Sequence, residues 1–596
     1  MAQHKQFLSG NEAIAHGAFA AGCTVAAAYP GTPSSEILPA LARLKGVYCE
    51  WSVNEKVAME VAIGASLAGA RALTAMKHVG LNVAADPLMT LSYLGVNGGL
   101  VIVSADDPGL HSSQNEQDNR FYAKFAKVPL LEPSDSQEAF EMAQAAFAIS
   151  EEFDTPVILR TTTRTSHSSS VVDVGDLTPP SPTGRTYTKD IAKTLPVPMY
   201  ARHMRVRLEA RLEKLKAFTE TTCFNRLEPG SPDLGFVTSG ISYQYVKEVF
   251  PEASVLKLGF TYPPPRRMVA AFAARVKSLF VVEELDPFLG EQIRAMGVKV
   301  EDHATQLHIW ELNVSRLRQL RAEITGEPAP TVPSKGVTEG LPARPPVLCP
   351  GCGHRAVFYA LNKLKATVTG DIGCYALGAV KPLDAMDTIV CMGASIGNAF
   401  GFEKAGDKRR VAAILGDSTF FHSGMTGLLN VVYNRGASTV IVLDNRTTAM
   451  TGHQDHPGTG RTLMGDETKA VAIEDVARGL GVERVRTVDC YDLAAVEAVL
   501  KEELDSPEPS VIVAQRPCIT GARVNMRRQY RILSDACRAC RACLHLGCPA
   551  LELGDPDPEK PKRRKVKVNP VLCVGCGLCF QVCQHAAIEE VPTEVR

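Results

Sequence analysis

Eight of the 17 cysteines lie between Cys537 and Cys583, and their spacing makes a specific chemical statement. The first run is Cys537-x2-Cys540-x2-Cys543-x4-Cys548-Pro549, and the second is Cys573-x2-Cys576-x2-Cys579-x3-Cys583. Three thiolates at i, i+3 and i+6 wrap one face of a [4Fe–4S] cube, and a fourth, carried away by the following helix, reaches the neighbouring cube. One cluster is therefore expected on Cys537, Cys540, Cys543 and Cys583, and a second on Cys573, Cys576, Cys579 and Cys548. A pair of zinc sites is the competing reading, but zinc asks only for four ligands and not for this triple spacing with a distant fourth. The extra residue before Cys548 and Gln584 after the last cysteine depart from the usual pattern without removing a ligand. The N-terminal residues lack a basic-then-apolar leader profile, so clustered thiols read as ligands in a reducing compartment, and a cytoplasmic location is expected.

A second constellation is built from oxygen. The apolar run Val411 to Leu415 leads into Gly416-Asp417-Ser418, and the run Thr439 to Leu443 leads into Asp444-Asn445-Arg446-Thr447. The carboxyl ends of parallel strands are where α/β sheets place ligands. Asp417, Asn445 and the Thr447 carbonyl offer hard oxygens suited to Mg²⁺, which would also take diphosphate oxygens. Gly393-Ala394-Ser395-Ile396-Gly397 supplies small residues ahead of a helix, where a diphosphate can approach amide groups closely. The GD…DN pair resembles the thiamine diphosphate motif, although an Asp after a strand is as readily a turn or helix cap.

The elements that must hold these groups follow from the rest of the chain. Its 596 residues suffice for about four domains of roughly 150 residues. Sixty-four basic residues balance 65 acidic ones, so charge gives no case for nucleic acid or membrane binding, and no apolar run is long enough to span a bilayer. Residues 1–165 alternate apolar strands with Ala-rich helices, an α/β pattern. Residues 166–230 read as a linker with a charged amphipathic helix near 202–220. Residues 231–327 form another α/β unit, 328–346 a Pro-rich linker, and 347–528 a third α/β unit. The tail, 529–596, is too short to build a core of its own without metal. Between its cysteine runs, Lys560, Lys562, Arg563, Arg564, Lys565 and Lys567 are either a solvated loop or a docking patch for an acidic electron acceptor.

Together these motifs resemble the 2-oxoacid:ferredoxin oxidoreductase family and, within it, the large (alpha) subunits of indolepyruvate enzymes. The resemblance is carried by Tyr29-Pro30-Gly31-Thr32-Pro33-Ser34-Ser35, Asn54-Glu55-Lys56-Val57, Met76-Lys77-His78-Val79-Gly80-Leu81-Asn82, Cys349-Pro350-Gly351-Cys352-Gly353-His354, the GD…DN pair and the tail. It implies a multidomain α/β fold: a pyrimidine-type thiamine diphosphate domain, a transketolase-C-like domain, a diphosphate- and Mg²⁺-binding domain and a ferredoxin-like domain with two [4Fe–4S] clusters. It implies that Glu55 faces N1′ of the aminopyrimidine, with Glu60 as its alternative, that Thr32 lies on the substrate side, and that Arg120 holds the substrate carboxylate. Gly393, Gly416, Asp417, Ser418, Asn445 and Thr447 would bind the cofactor. Cys349, Cys352, Cys374 and Cys518 match cysteines that hold a cluster near thiamine in related enzymes, which leaves two readings open: a third [4Fe–4S] cluster, or buried structural thiols.

The implied activity is oxidative decarboxylation of arylpyruvate with coenzyme A, giving arylacetyl-CoA, with ferredoxin as acceptor and a smaller beta subunit in an α2β2 assembly. Two rivals stand beside it. One is a non-redox thiamine-dependent 2-oxoacid decarboxylase, and the other an electron-transfer subunit with an inactive thiamine site.

Overall fold

A computed structural model of the chain describes residues 4–178, 183–328, 341, 345–406, 409–521, 528–556 and 563–592. Most of the expected linker 328–346, together with Lys560 and Lys562, lies outside the described residues. The chain forms two compact units, residues 1–340 and 341–596. Among the described residues no helix is long and apolar enough to cross a membrane.

In the first unit a seven-stranded sheet runs in the order Phe260–Tyr262, Leu130–Leu131, Val157–Thr162, Leu100–Asp106, Ala72–Lys77, Val25–Ala28, Tyr48–Trp51. All neighbours are parallel except the first pair. Leu100–Asp106 is buried along its whole length, as a parallel strand must be when helices cover both faces. The chain passes from Val25–Ala28 outward to Tyr48–Trp51, then returns to place Ala72–Lys77 on the other side of Val25–Ala28. That reversal opens a crevice at the carboxyl ends of strands 25–28 and 72–77.

The second sheet runs Ser278–Val282, Ser231–Ser239, Ala253–Leu258, Asn225–Glu228. It begins earlier than the expected boundary at 231, and the strand Phe260–Tyr262 crosses to the edge of the first sheet. One apolar core joins both regions: Leu100, Ile102 and Ile158 pack in a single cluster with Val237, Leu256 and Phe288. The helix Pro198–Thr219 buries Met204, Leu208, Leu212 and Leu215 along one stripe. Its Arg211 donates to the carbonyls of Ser92 and Tyr93 at 2.8 and 3.2 Å, which ties the connector to the helix Ala85–Leu94.

The second unit holds a six-stranded, all-parallel sheet ordered Thr388–Ile389, Thr367–Gly370, Val411–Gly416, Thr439–Asp444, Ser510–Gln515, Arg484–Asp489. Here the chain reverses between Thr367–Gly370 and Val411–Gly416. The tail contributes two antiparallel pairs, Arg528–Ile532 with Ile588–Pro592 and Leu551–Pro556 with Arg564–Val568. Its core is small, Cys543, Leu551, Val566 and Ile588, with further thiols packed against it.

Candidate active site and redox centres

The crevice of the first unit gathers residues from three strand ends. After Val25–Ala28 the chain makes a tight turn in which Ser34 donates to the Gly31 carbonyl through its amide and its hydroxyl, both at 2.8 Å. Thr32 sits in that turn, half-buried. After Tyr48–Trp51, Asn54 caps the helix Glu55–Leu67 by accepting the Val57 amide at 2.9 Å, which fixes Glu55 in the first helical turn. Glu55 is 5 % exposed. Its carboxylate lies against Gly80, where a Cβ would stand 2.6 Å from Oε1, so the glycine is what makes room for it. Glu60 points outward and pairs with Lys56 at the surface.

Lys77 ends the strand Ala72–Lys77, and its methylenes run past Gly31, where an added Cβ would lie 3.2 Å from the Lys77 Cβ. Its Nζ donates to the Ser112 carbonyl at 2.6 Å. Burial lowers its proton affinity, and the carboxylates of Asp107 and Glu55 partly restore it. In the sequence Lys77 is only one residue of the Met76–Asn82 motif; the order of the strands is what brings it to the chain reversal. His78 is buried beside it and pushed down to about 4, by burial first and then by the Lys77 charge.

Arg120 is a correction. Its side chain is 0 % exposed, and its donors are engaged inside the unit. Nε binds Asp118 at 2.9 Å, one terminal nitrogen binds Asp118 at 2.5 Å, and the other binds Glu283 at 2.6 Å. Carbonyls of Glu284 and Asp286 accept two more bonds at 2.8 Å. An arginine so enclosed is a structural ion, not a surface for a substrate carboxylate.

In the second unit, Asp417 and Asp444 stand at adjacent strand ends, 3 % and 4 % exposed. His456 meets Asp417 Oδ2 at 3.1 Å, while the Gly458 amide donates to His456 Nδ1 at 3.1 Å. Nδ1 therefore accepts, and Nε2 carries the proton that it shares with Asp417. Burial alone would raise the Asp417 carboxyl; the His456 hydrogen bond and the Ser418 amide hold it below its ordinary range. Burial and the neighbouring Asp417 charge raise Asp444. Asn445 Oδ1 accepts the Thr447 amide at 3.1 Å and keeps a second lone pair. This set of hard oxygens beside paired buried carboxylates fits a divalent cation. Gly416 caps a helical segment that runs from Asp417 through a π-turn at Phe420–Gly424 into Met425–Tyr433. Ser418 Oγ accepts from Thr448 at 3.0 Å.

Gly393 plays a different part from the one expected. Its amide and that of Ser395 donate to Asp371 at 2.9 and 3.2 Å, so an internal carboxylate occupies the start of the helix Ala394–Lys404. The lack of a side chain at Gly393 admits Ser423, whose Cβ would lie 2.5 Å from an added Cβ. Burial raises Asp371 to about 6 despite the three amides it accepts.

The cysteines group as follows. Cys352 is pushed up to about 12, by burial first, and feels the thiols of Cys349 and Cys374. Cys374 feels those of Cys518 and Cys349. Three separate segments thus bring four thiols together: the loop before the helix His354–Leu364, the turn after Thr367–Gly370, and the turn after Ser510–Gln515. Cys518 also donates its amide to the Asn445 carbonyl at 2.9 Å, so this thiol group adjoins the oxygen site.

In the tail, Cys543 is raised to about 11 by burial and by Cys540, Cys537 and Cys583. Cys576 is raised to about 11 by burial and by Cys548 and Cys573. Cys548, Cys573, Cys576 and Cys579 line one cavity together with Arg355. Among the described residues no three His, Cys, Asp or Glu side chains gather closely enough to hold a single ion.

Three family models match this chain. One described as "Pyruvate flavodoxin/ferredoxin oxidoreductase, thiamine diP-bdg" covers residues 16–200, one for the C-terminal TPP-binding domain of thiamine pyrophosphate enzymes covers 371–514, and a 4Fe-4S binding domain covers 566–589. The chain is 43 % identical to the indolepyruvate oxidoreductase subunit IorA of Archaeoglobus fulgidus, over 98 % of this chain and 97 % of the relative. It is 43 % identical to the subunit of the same name from Pyrococcus abyssi, over 98 % and 96 %. Among solved structures it is similar to a 2-oxoglutarate:ferredoxin oxidoreductase from Magnetococcus marinus, at 18 % identity and a TM-score of 0.46, over 54 % of this chain and 65 % of that one.

Proposed function

Since the chain belongs to the family of indolepyruvate oxidoreductase subunits IorA, we propose that it is the catalytic subunit of an arylpyruvate:ferredoxin oxidoreductase. The reaction consumes an arylpyruvate, coenzyme A and two oxidised ferredoxins. It yields arylacetyl-CoA, carbon dioxide, two reduced ferredoxins and one proton. The observation that carries the redox form of this reading is the meeting of Cys349, Cys352, Cys374 and Cys518 beside Asn445. A decarboxylase that passes no electrons has no use for thiols at that place.

When bound, thiamine diphosphate supplies a nucleophilic carbon for the 2-oxo group and a sink for the electron pair left by departing carbon dioxide. Glu55, held by its helix cap against Gly80, would face the pyrimidine N1′ and hydrogen-bond to it. Asp417, Asn445 and the Thr447 carbonyl would hold Mg²⁺, with the Asp417 carboxylate oriented by its bond to His456. With Arg120 enclosed, Lys77 is the cation at the crevice that suits a substrate carboxylate, with Thr32 beside it. Three [4Fe–4S] clusters fit the three thiol sets. Gly351 of the CPGC loop packs on Val574 of the second run, which gives electrons a short through-contact path into the tail. A smaller beta subunit completes an α2β2 assembly. Thiols that serve as cluster ligands suit a reducing cytoplasm.

The test is an anaerobic panel of 2-oxoacids with the purified complex, scored by coenzyme A-dependent reduction of benzyl viologen. Arylpyruvates should lead the panel. Aldehyde release without dye reduction would favour the non-redox decarboxylase instead. Iron analysis should give about 12 atoms per chain, against about eight if the third set is purely structural.

A further inference from the structure

Arg355, at the start of the helix His354–Leu364, is 2 % exposed and lies among thiols, not carboxylates. Its guanidinium makes five bonds, all to backbone carbonyls. Nε and one terminal nitrogen donate to Cys349 at 3.2 Å, and that same nitrogen also donates to Leu348. The other donates to Leu546 at 3.0 Å and Gly547 at 2.6 Å. These carbonyls belong to the segments that lead into Cys349 and Cys548. Gly547 has a φ of +64°, and a Cβ there would lie 3.2 Å from the guanidinium, so the approach is close on that side too. Among the described residues no ion pair neutralises Arg355. Its charge is felt instead by the thiols of Cys548, Cys352, Cys576 and Cys349. The same side chain lines the cavity formed by Cys548, Cys573, Cys576 and Cys579.

We infer that Arg355 is a positioning residue for electron transfer, a buried cation shared by two [4Fe–4S] clusters that raises the reduction potential of both. The inference rests on the cluster reading above. Adding an electron to a cluster makes its charge one unit more negative, with no proton to offset it. A fixed positive charge in a weakly polarisable surrounding therefore favours the reduced form. It also explains how an unpaired arginine is tolerated there: the two thiolate-bound clusters are its counter-charge. None of the third set, Cys537, Cys540, Cys543 and Cys583, is among the four strongest charge partners of Arg355.

The test is a redox titration of the anaerobic holoenzyme, followed by electron paramagnetic resonance, with iron content measured on each sample. Arg355→Gln should shift two midpoints to more negative values and leave one in place. Arg355→Lys, which keeps the charge but cannot make five carbonyl bonds, should titrate like the unaltered protein. Unchanged midpoints in Arg355→Gln with full iron would overturn the inference. Loss of iron from both variants would overturn it as well, leaving a structural staple. Loss of iron from Arg355→Gln alone, with normal midpoints in Arg355→Lys, would support the charge. If the unaltered holoenzyme itself held no iron, the cluster reading would fail before the inference was reached.

Discussion

In the proposed mechanism Glu55 and Lys77 divide the work of the first crevice by charge. Glu55 stands on a capped helix end, and its carboxylate is aimed by the absence of a side chain at Gly80. Replacing Glu55 by Gln keeps the shape and removes the proton-holding group. Turnover should fall by about 10²- to 10⁴-fold, the usual worth of a positioned acid–base group, while cofactor binding measured by fluorescence stays within a few-fold. An unchanged rate would mean that the thiamine site is inactive. Lys77 should act on binding more than on chemistry. A charge-assisted hydrogen bond contributes about 1.5–3 kcal/mol, so Lys77→Met should raise KM for arylpyruvate about 10- to 100-fold. The conservative Lys77→Arg variant should recover part of that, and kcat should move less. A KM that does not change would assign the carboxylate to another group.

At the scale of elements, function depends on where loops touch. Gly351 has a φ of +73°, and a Cβ on it would stand 2.2 Å from Val574. The loop that carries Cys349 and Cys352 therefore meets the loop that carries Cys573 and Cys576 at van der Waals distance. Tyr491 braces the same junction by donating to the Gly351 carbonyl at 2.6 Å, with Arg516 stacked 4.0 Å from its ring centroid. Gly351→Val must widen this contact and strain the turn. Stopped-flow measurement should show slower substrate-driven bleaching of the tail clusters with iron content unchanged. Bleaching at the original rate would show that electrons take another path. The helix Ala394–Lys404 makes a related point: an element that offers small residues and free amides in the sequence has those amides claimed by Asp371 once the sheet is assembled.

At the scale of the whole molecule, the first unit encloses a buried ionic network, which Glu283 extends to the second sheet. Arg120, Asp118 and Glu283 form one part; Arg160, Asp106 and Glu132 form another. Glu284 lies in the same interior, raised to about 7 by burial, against the opposing effects of the Leu312 amide and the Arg160 charge. Between pH 4.5 and 7 the folded chain keeps a proton that the unfolded chain has released. Its contribution is fully present below the unfolded value and is lost as pH rises through 7. Glu284→Gln, which cannot ionise, should gain stability relative to the unaltered protein on going from pH 5 to pH 8, by at most about 3 kcal/mol. Urea denaturation at the two pH values checks this; an equal difference at both would mean that the carboxyl titrates normally.

Local chemistry was legible in the chain itself. Thiols three residues apart, an Asp after an apolar run and an Asn capping a helix act through neighbours in sequence, so their spacing carries their meaning. The parallel-sheet architecture was legible for the same reason, since continuous apolar runs mark strands covered on both faces. Folding alone decided which of these groups face each other. The two chain reversals put Lys77 against Gly31 and Gly416 beside Tyr375, and the shared core of the first unit closed over Arg120. Arg355 reads as one more charged helix residue until two distant loops wrap it. A buried charge takes its role from the groups that surround it, and those come from segments that only the tertiary structure brings within reach.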